Sequence, residues 1–470
     1  MGFFVLLLAI CLLIWGSVLA WRGSPVLGCA IYLIVACAFG GYFWTIDAAG
    51  LTWSLDRFFL AFLLIAFVVQ WKAGKVELKP LTRAEMLLAA FFALLLFSTF
   101  THDWRKVGPD DDSVLMHLVN GYLVPVTIFL LARNARLNEK NLRYIYIALG
   151  CFGVYLAGTA VAEAAHAWGV VFPQYISDPS LGTHYGRARG PMLQSARLGM
   201  YLIACGGALA ALWTYSGKWT RHGVVLAAAL LPCFLAAAYC TYTRSVWLGA
   251  GIALMIALTA TLNRRWRTLT IVGALGMAAM VVAVKQDKLV AFQRDTTTAA
   301  DTEKSTYMRA SFAYVSWLMF QDRPITGVGF GHFPEESTHY LHDRNTTLHL
   351  EQLRGYIHHN TYLSLLVELG IFGLLLNLAV FGCWLWQAWT LWRDQQLPFW
   401  VRSHALLFVA VIACHAVQML FREVSYAPIE NGLIFFIAGT TSSLYATYKL
   451  ADRKTAAALP QPAVQLQRAP

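Results

Sequence analysis

The stretch IHHNTYLSLLVELGIFG, Ile357 to Gly373, sets two histidines and an asparagine at the mouth of a long apolar run. A helix entering a membrane has no need of them. Neutral imidazole accepts a proton, and its ordinary pKa of about 6.5 suits general-base work. Asn360 is a residue that caps helices, which would leave His359 just outside the helix, in reach of water. Nearby arginines and a helix N-terminus would hold that ring neutral. The residues alone also allow a polar cap with interfacial histidines, and for His358 that is the reading taken: a bystander. A metal site is a third reading. His339 and His342 fall on one helical face, and Glu335, Glu336, Asp343 and Glu351 lie near them in sequence. No HExxH or Cys/His zinc pattern accompanies them, so a solvated polar loop is expected and no metal.

Arginines supply the second chemical signal. Arg187, Arg189 and Arg197 stand in HYGRARGPMLQSARLGMYL, and Arg244 opens the apolar run that follows CTYT. A charge in mid-membrane costs about 2.5–3.5 kcal/mol on insertion scales, and much less at the interface, where the side chain snorkels. Lipid-headgroup anchoring accounts for any one of them. Three apolar spans, however, begin on the same side with a polar signature: Arg189–Arg197, Arg244, and His359–Asn360. Helix N-termini carry unpaired N–H groups and favour anions, and arginine adds charge and bidentate geometry suited to phosphate. Should these ends converge, they make a cationic pocket for a lipid-linked phosphate or diphosphate.

The elements that must hold these residues are membrane helices. The chain has 470 residues, 58% hydrophobic and 13% charged, with a mean hydropathy of +0.55. Soluble proteins carry about 25% charge. Apolar stretches recur along nearly the whole chain, which implies helices and excludes a β-barrel. Candidate spans lie at 2–20, 26–44, 57–70, 84–100, 114–132, 143–165, 198–216, 223–241, 244–262, 268–284, 360–390, 402–421 and 428–448. The first reads as a retained membrane helix. The third is short, so twelve or thirteen true spans are expected. Basic clusters such as Arg133/Arg136/Lys140/Arg143 and Arg264/Arg265/Arg267 alternate with acidic loops. This puts the basic loops and the C-terminus in the cytoplasm. The net charge of +11 is scattered through short loops and implies orientation, with no nucleic-acid partner. The nine cysteines lie in apolar segments without a CxxC and read as packing residues.

Two longer segments face outward, at about 166–197 and about 285–359. Within the second, YMRASFAYVSWLMF (307–320) reads as an amphipathic helix on the membrane surface, and DRPITGVGFGHF (322–333) as turn-rich. GVGFG is too weak a signal for a nucleotide site. The expected division is an N-terminal bundle at 1–165, an arginine-bearing unit at 166–284, the outer loop at 285–359, C-terminal helices at 360–448 and a disordered cytoplasmic tail at 449–470.

These motifs resemble the bacterial O-antigen ligases and their relatives, the O-antigen polymerases and O-oligosaccharyltransferases. The family's motif is His, then Asn, Ser or Gln, nine residues, and Gly-x-x-Gly. His359, Asn360, Gly370 and Gly373 match it, and Arg244 with Leu248 matches the family's Arg-x-x-x-Leu. The stretch 307–333 looks like its pre-motif loop and adds Arg309. RGPMLQSARLG departs from the Gly-Asn-Pro-Asn of polymerase relatives, which mildly favours ligase. The resemblance implies an all-α polytopic fold of GT-C-like architecture in a Gram-negative inner membrane. About twelve (12–13) transmembrane helices would carry a large periplasmic loop before the last three. It implies a glycosyltransferase that moves a polysaccharide from undecaprenyl diphosphate to a hydroxyl of lipid A–core. The reaction would invert the anomeric configuration and use no metal or other cofactor. His359 would be the base. Arg189 and Arg244 would hold the diphosphate, with Arg309 less central and Arg187 and Arg197 beside them. Gly370 and Gly373 would serve close helix packing. The alternatives are a polymerase or protein-glycosylating relative, or, from a different class, an anionic-lipid transporter. A transporter should carry mid-membrane charge and paired broken helices. Glu368 is the notable charge within a span.

Overall fold

The computed structural model describes residues 14–48, 51–109, 112–183, 185–213, 221–283 and 299–450. Most of the expected first span, the start of the long loop (284–298) and the tail from 451 lie outside them. The described chain is predominantly helical. Helix α1 is Pro25–Ala38, followed by a hairpin of β1 (Thr45–Ala48) and β2 (Leu51–Ser54) and by α2 (Leu55–Lys72). The helices α3 (Arg83–Thr101), α4 (Val114–Asn134), α5 (Glu139–Ala164) and α6 (Ser195–Trp213) come next. They are followed by α7 (Arg221–Cys240), α8 (Arg244–Thr261) and α9 (Arg264–Ala283). The outer loop carries α10 (Ala299–Asp322), and the chain then closes with α11 (Thr361–Arg393), α12 (Phe399–Phe421) and α13 (Pro428–Tyr445). Among the described residues, seven helices are long and apolar enough to cross a membrane: α3, α4, α5, α6, α8, α11 and α12. The expected span at 26–44 stops at Ala38, ahead of the poor helix formers Gly40 and Gly41, and the chain turns into the hairpin.

The largest core runs through α1, α4, α5, α6, α11, α12 and α13, with Trp384, Phe129, Tyr146 and Phe408 at its centre. The outer loop has a core of its own. Phe312, Val315 and Met319 on one face of α10 pack with Val328, Phe333, Leu341, Leu350, Leu353 and with Val367 of α11. The amphipathic helix expected at 307–320 is therefore present, but its apolar face is used to build the loop and seat it on α11. Burying a phenylalanine of this kind contributes about 1.5–3 kcal/mol, so α10 is held firmly in place.

Two departures from regular helix tie elements together, one joining the loop to α11 and the other joining α4 to α13. Helix α11 breaks at Gly370, whose φ of 69° lies in the left-handed region. The break frees the Val367 and Glu368 carbonyls, which accept from the N–H groups of Val328 (2.9 Å) and Gly329 (3.0 Å). In return, the Ile371 N–H donates to the Pro324 carbonyl at 2.9 Å. A Cβ on Gly370 would sit 2.1 Å from the Ile325 carbonyl oxygen. GVGFG is thus the wedge that fills a broken helix, and the role of Gly370 is backbone freedom at that break. We expect Gly370→Ala to cost at least about 1–3 kcal/mol from the strained backbone alone, read as a lower melting temperature of the purified protein. Helix α4 is also irregular: a π-turn at Val119–Leu123 frees the Gly121 carbonyl, which takes the Asn431 Nδ2–H at 3.0 Å.

Candidate active site

Asn360 caps α11 as its type predicts: Oδ1 accepts the Leu363 N–H at 3.1 Å. Its amide also donates to the Leu420 carbonyl at 3.1 Å, at the end of α12. Thr361 ties the same two ends twice, donating to the Arg422 carbonyl and accepting from the Val424 N–H, each at 2.9 Å. The start of α11 is thereby clamped to the end of α12, and His359 projects just ahead of the first helical turn. Its ring lies edge-on to Phe312 of α10, with centroids 5.1 Å apart. Half-burial and then the charge of Arg309 hold the His359 pKa below the ordinary imidazole value. The ring is neutral near pH 7 and is the acceptor that base chemistry needs.

Arg309 comes from α10. Its guanidinium lies over Phe421 at the end of α12, 5.7 Å from the ring centroid. Partial enclosure and then the charge of Arg244, the first residue of α8, depress its pKa. Neither arginine forms an ion pair with a carboxylate among the described residues. Leu248, the other half of the Arg-x-x-x-Leu match, is 49% exposed one turn along α8. Helix α10 thus sets Phe312 against His359 and Arg309 over Phe421, and the charge of Arg309 acts on His359 as that of Arg244 acts on Arg309. Cations without an acidic partner, near a neutral imidazole and a helix N-terminus, are groups suited to holding an anion.

Arg189 and Arg197 are engaged elsewhere. Arg189 is 1% exposed. Its guanidinium donates to the carbonyls of Leu181, Ile176 (2.8 Å) and Asp178 (2.6 Å) and lies over Tyr185 at 4.9 Å. The backbone N–H groups of Arg189 and Gly190 donate to Glu163 at 3.1 and 2.8 Å. It is the pin of the 176–190 loop. Arg189→Leu would strand those carbonyls at about 1–3 kcal/mol for each unsatisfied group, so a lower melting temperature with an unchanged donor KM is expected. Arg197 pairs with Glu430 at 3.4 Å, and Arg422 bonds the same carboxylate together with Gln194 (2.6 Å). Arg187 is half-buried, and the neighbouring Ala188 N–H donates to the Cys240 carbonyl at 3.0 Å, next to the turn that launches Arg244.

Several contributors carry no local signal in the sequence. Glu368 accepts from the Tyr426 hydroxyl at 2.7 and 2.9 Å and from the Gly331 N–H at 3.0 Å, and Tyr426 stacks on His117 at 4.2 Å. The carboxylate is bonded into the wedge and the α12–α13 loop, as a joint between them. Gly373 sits against its own helix, where an added Cβ would lie 2.2 Å from the Leu369 side chain. Among the histidines of the long loop, His339 is exposed, His342 faces Glu351 at 3.3 Å, and the ring of His332 lies tilted against His102 with centroids 5.5 Å apart.

Fold and site together define a polytopic helical membrane protein with an anion-competent site at the loop-bearing end of its bundle. Residues 229–378, about a third of the chain, match the family model Wzy_C, O-Antigen ligase, which supports a relation to the O-antigen ligase/polymerase superfamily. Members of that family are glycosyltransferase-like enzymes of lipopolysaccharide biosynthesis. The matched region holds Arg244, Arg309, His359 and the break at Gly370, and excludes Arg187, Arg189 and Arg197. No curated protein matches the chain.

Proposed function

We propose that the protein is an O-antigen ligase, transferring a polysaccharide from undecaprenyl diphosphate to a hydroxyl of lipid A–core at the periplasmic face of a Gram-negative inner membrane. The observation that carries this reading is His359 ahead of the capped start of α11, packed on Phe312 of α10 one turn from Arg309, with Arg309 and Arg244 lacking an acidic partner among the described residues. The acceptor hydroxyl attacks the anomeric carbon from the face opposite the diphosphate. Its proton passes to His359, a carbon–oxygen bond forms, and the bond from the anomeric carbon to the diphosphate oxygen breaks with inversion. The leaving diphosphate takes the electron pair, and Arg309 and Arg244 balance its charge. Arg189 supports the loop in this account and leaves the diphosphate to the other two. The break at Gly370 is one feature of a transporter, yet the wedge fills it and Glu368 is fully engaged, which favours an interfacial enzyme over a conduit.

Reconstitution of the full chain with lipid-linked glycan and lipid A–core, in chelator and without nucleotide, tests the reading. Glycan attached to lipid A–core is the expected product. Product found only as longer lipid-linked glycan would make it a polymerase, and glycan on protein would make it an O-oligosaccharyltransferase.

A further inference from the structure

His358, beside the base, has the environment of a strut. It is 2% exposed, walled by Phe312 and Phe333 at centroid distances of 5.1 and 4.8 Å. Its Nδ1 lies 2.9 Å from the Asn360 backbone nitrogen and its Nε2 lies 2.7 Å from the Ser316 hydroxyl of α10. A backbone N–H can only donate, so Nδ1 is the acceptor and the proton sits on Nε2, which donates to Ser316. A second proton would cost the Asn360 bond, and burial pushes the His358 pKa down to about 3. The ring is one neutral tautomer with both nitrogens used.

Those two bonds join the elements that must stay in register. Asn360 is the cap that sets the start of α11 and, with it, His359. Ser316 lies about two turns along α10 from Arg309, on the same face. Phe312, one turn from Arg309, touches both histidine rings. The charged and titratable groups that act on His359 and His358 are Arg309 from α10 and the two histidines themselves.

We propose that His358 is a positioning residue, a hydrogen-bonded strut from the α11 cap to Ser316 that fixes His359 against Arg309. The inference rests on the reading of His359 as base. A histidine that merely filled the core would cost stability when replaced. A strut must also change the chemistry, because a displacement of about 1 Å in a catalytic constellation can cost 10²-fold.

The test uses the reconstituted full-length enzyme with lipid-linked glycan and lipid A–core, comparing wild type with Ser316→Ala, His358→Asn, their double variant and His359→Ala. Ser316→Ala removes one hydroxyl and should leave the fold intact. Asparagine keeps an acceptor for the Asn360 N–H and is too short to reach Ser316. Each single change is expected to lower kcat about 10- to 100-fold with little change in donor KM, and the double variant should be no worse than the singles. The acid limb of kcat/KM should move up toward the ordinary imidazole value as His359 loses its enclosure and the nearby Arg309. Wild-type kcat and acid limb in Ser316→Ala and His358→Asn, with His359→Ala inactive, would overturn the strut alone. A lowered melting temperature with kcat and limb unchanged would also overturn it. Full activity in His359→Ala would overturn the base and the strut together.

Discussion

Replacing His359 with alanine is expected to lower glycan transfer by about 10²- to 10⁴-fold, the range lost with a positioned general base, while the lipid-linked donor still binds. The imidazole has no hydrogen-bond partner among the described residues that would occupy it, and it lies where the capped end of α11 meets α10. With the donor's charge met by Arg309 and Arg244 as proposed, donor affinity should change little. The pH profile carries the same signature with a definite sign. Burial and Arg309 both favour the neutral ring, so the base becomes competent at a pH below its ordinary range. The kcat/KM of the wild type should rise through an acid limb below about 6.5 and be flat near neutrality. In His359→Ala that limb should vanish along with the rate.

Arg309→Lys should be nearly as damaging as Arg309→Ala, with kcat reduced by about 10²- to 10³-fold, the loss seen when one preorganised stabiliser of developing charge is removed. Lysine keeps the charge but lacks the planar fork that engages two phosphate oxygens and the face that stacks on Phe421. The same change at Arg244 should raise donor KM as well, because the bare end of α8 then lacks its bidentate partner. The charge of Arg244 lowers the pKa of Arg309, an effect that an anion beside Arg309 would relieve. Donor binding should therefore weaken steeply with salt in the wild type and less so in Arg244→Ala.

The parts of the site that follow from spacing along one segment were legible in the sequence. Asn360 caps α11, His359 stands ahead of it, and Gly370 falls where the helix departs from regularity. Arg244 was legible because an arginine at the start of an apolar run demands a reason. What sequence spacing misses is the partner contributed from far along the chain. Arg189 has the same local signature as Arg244, and only the fold shows its guanidinium turned onto the carbonyls of residues 176–181. His358 looked like a duplicate of His359 until Ser316, on another helix, took its Nε2. The glycine-rich GVGFG read as a turn, and its function as a wedge depends on a break in α11 that lies beyond it in the chain. Glu368 looked anomalous in an apolar run because Tyr426 and Gly331, which satisfy it, arrive from two other loops.

The fate of the donor lipid in a single turnover tests the central claim most directly. Proteoliposomes holding the full chain, labelled lipid-linked glycan and lipid A–core would be quenched in chelator and both products counted. The account predicts one intact lipid diphosphate released for each glycan that appears on lipid A–core, with both signals lost together in His359→Ala. Release of lipid monophosphate, or transfer that persists undiminished in His359→Ala, would contradict it.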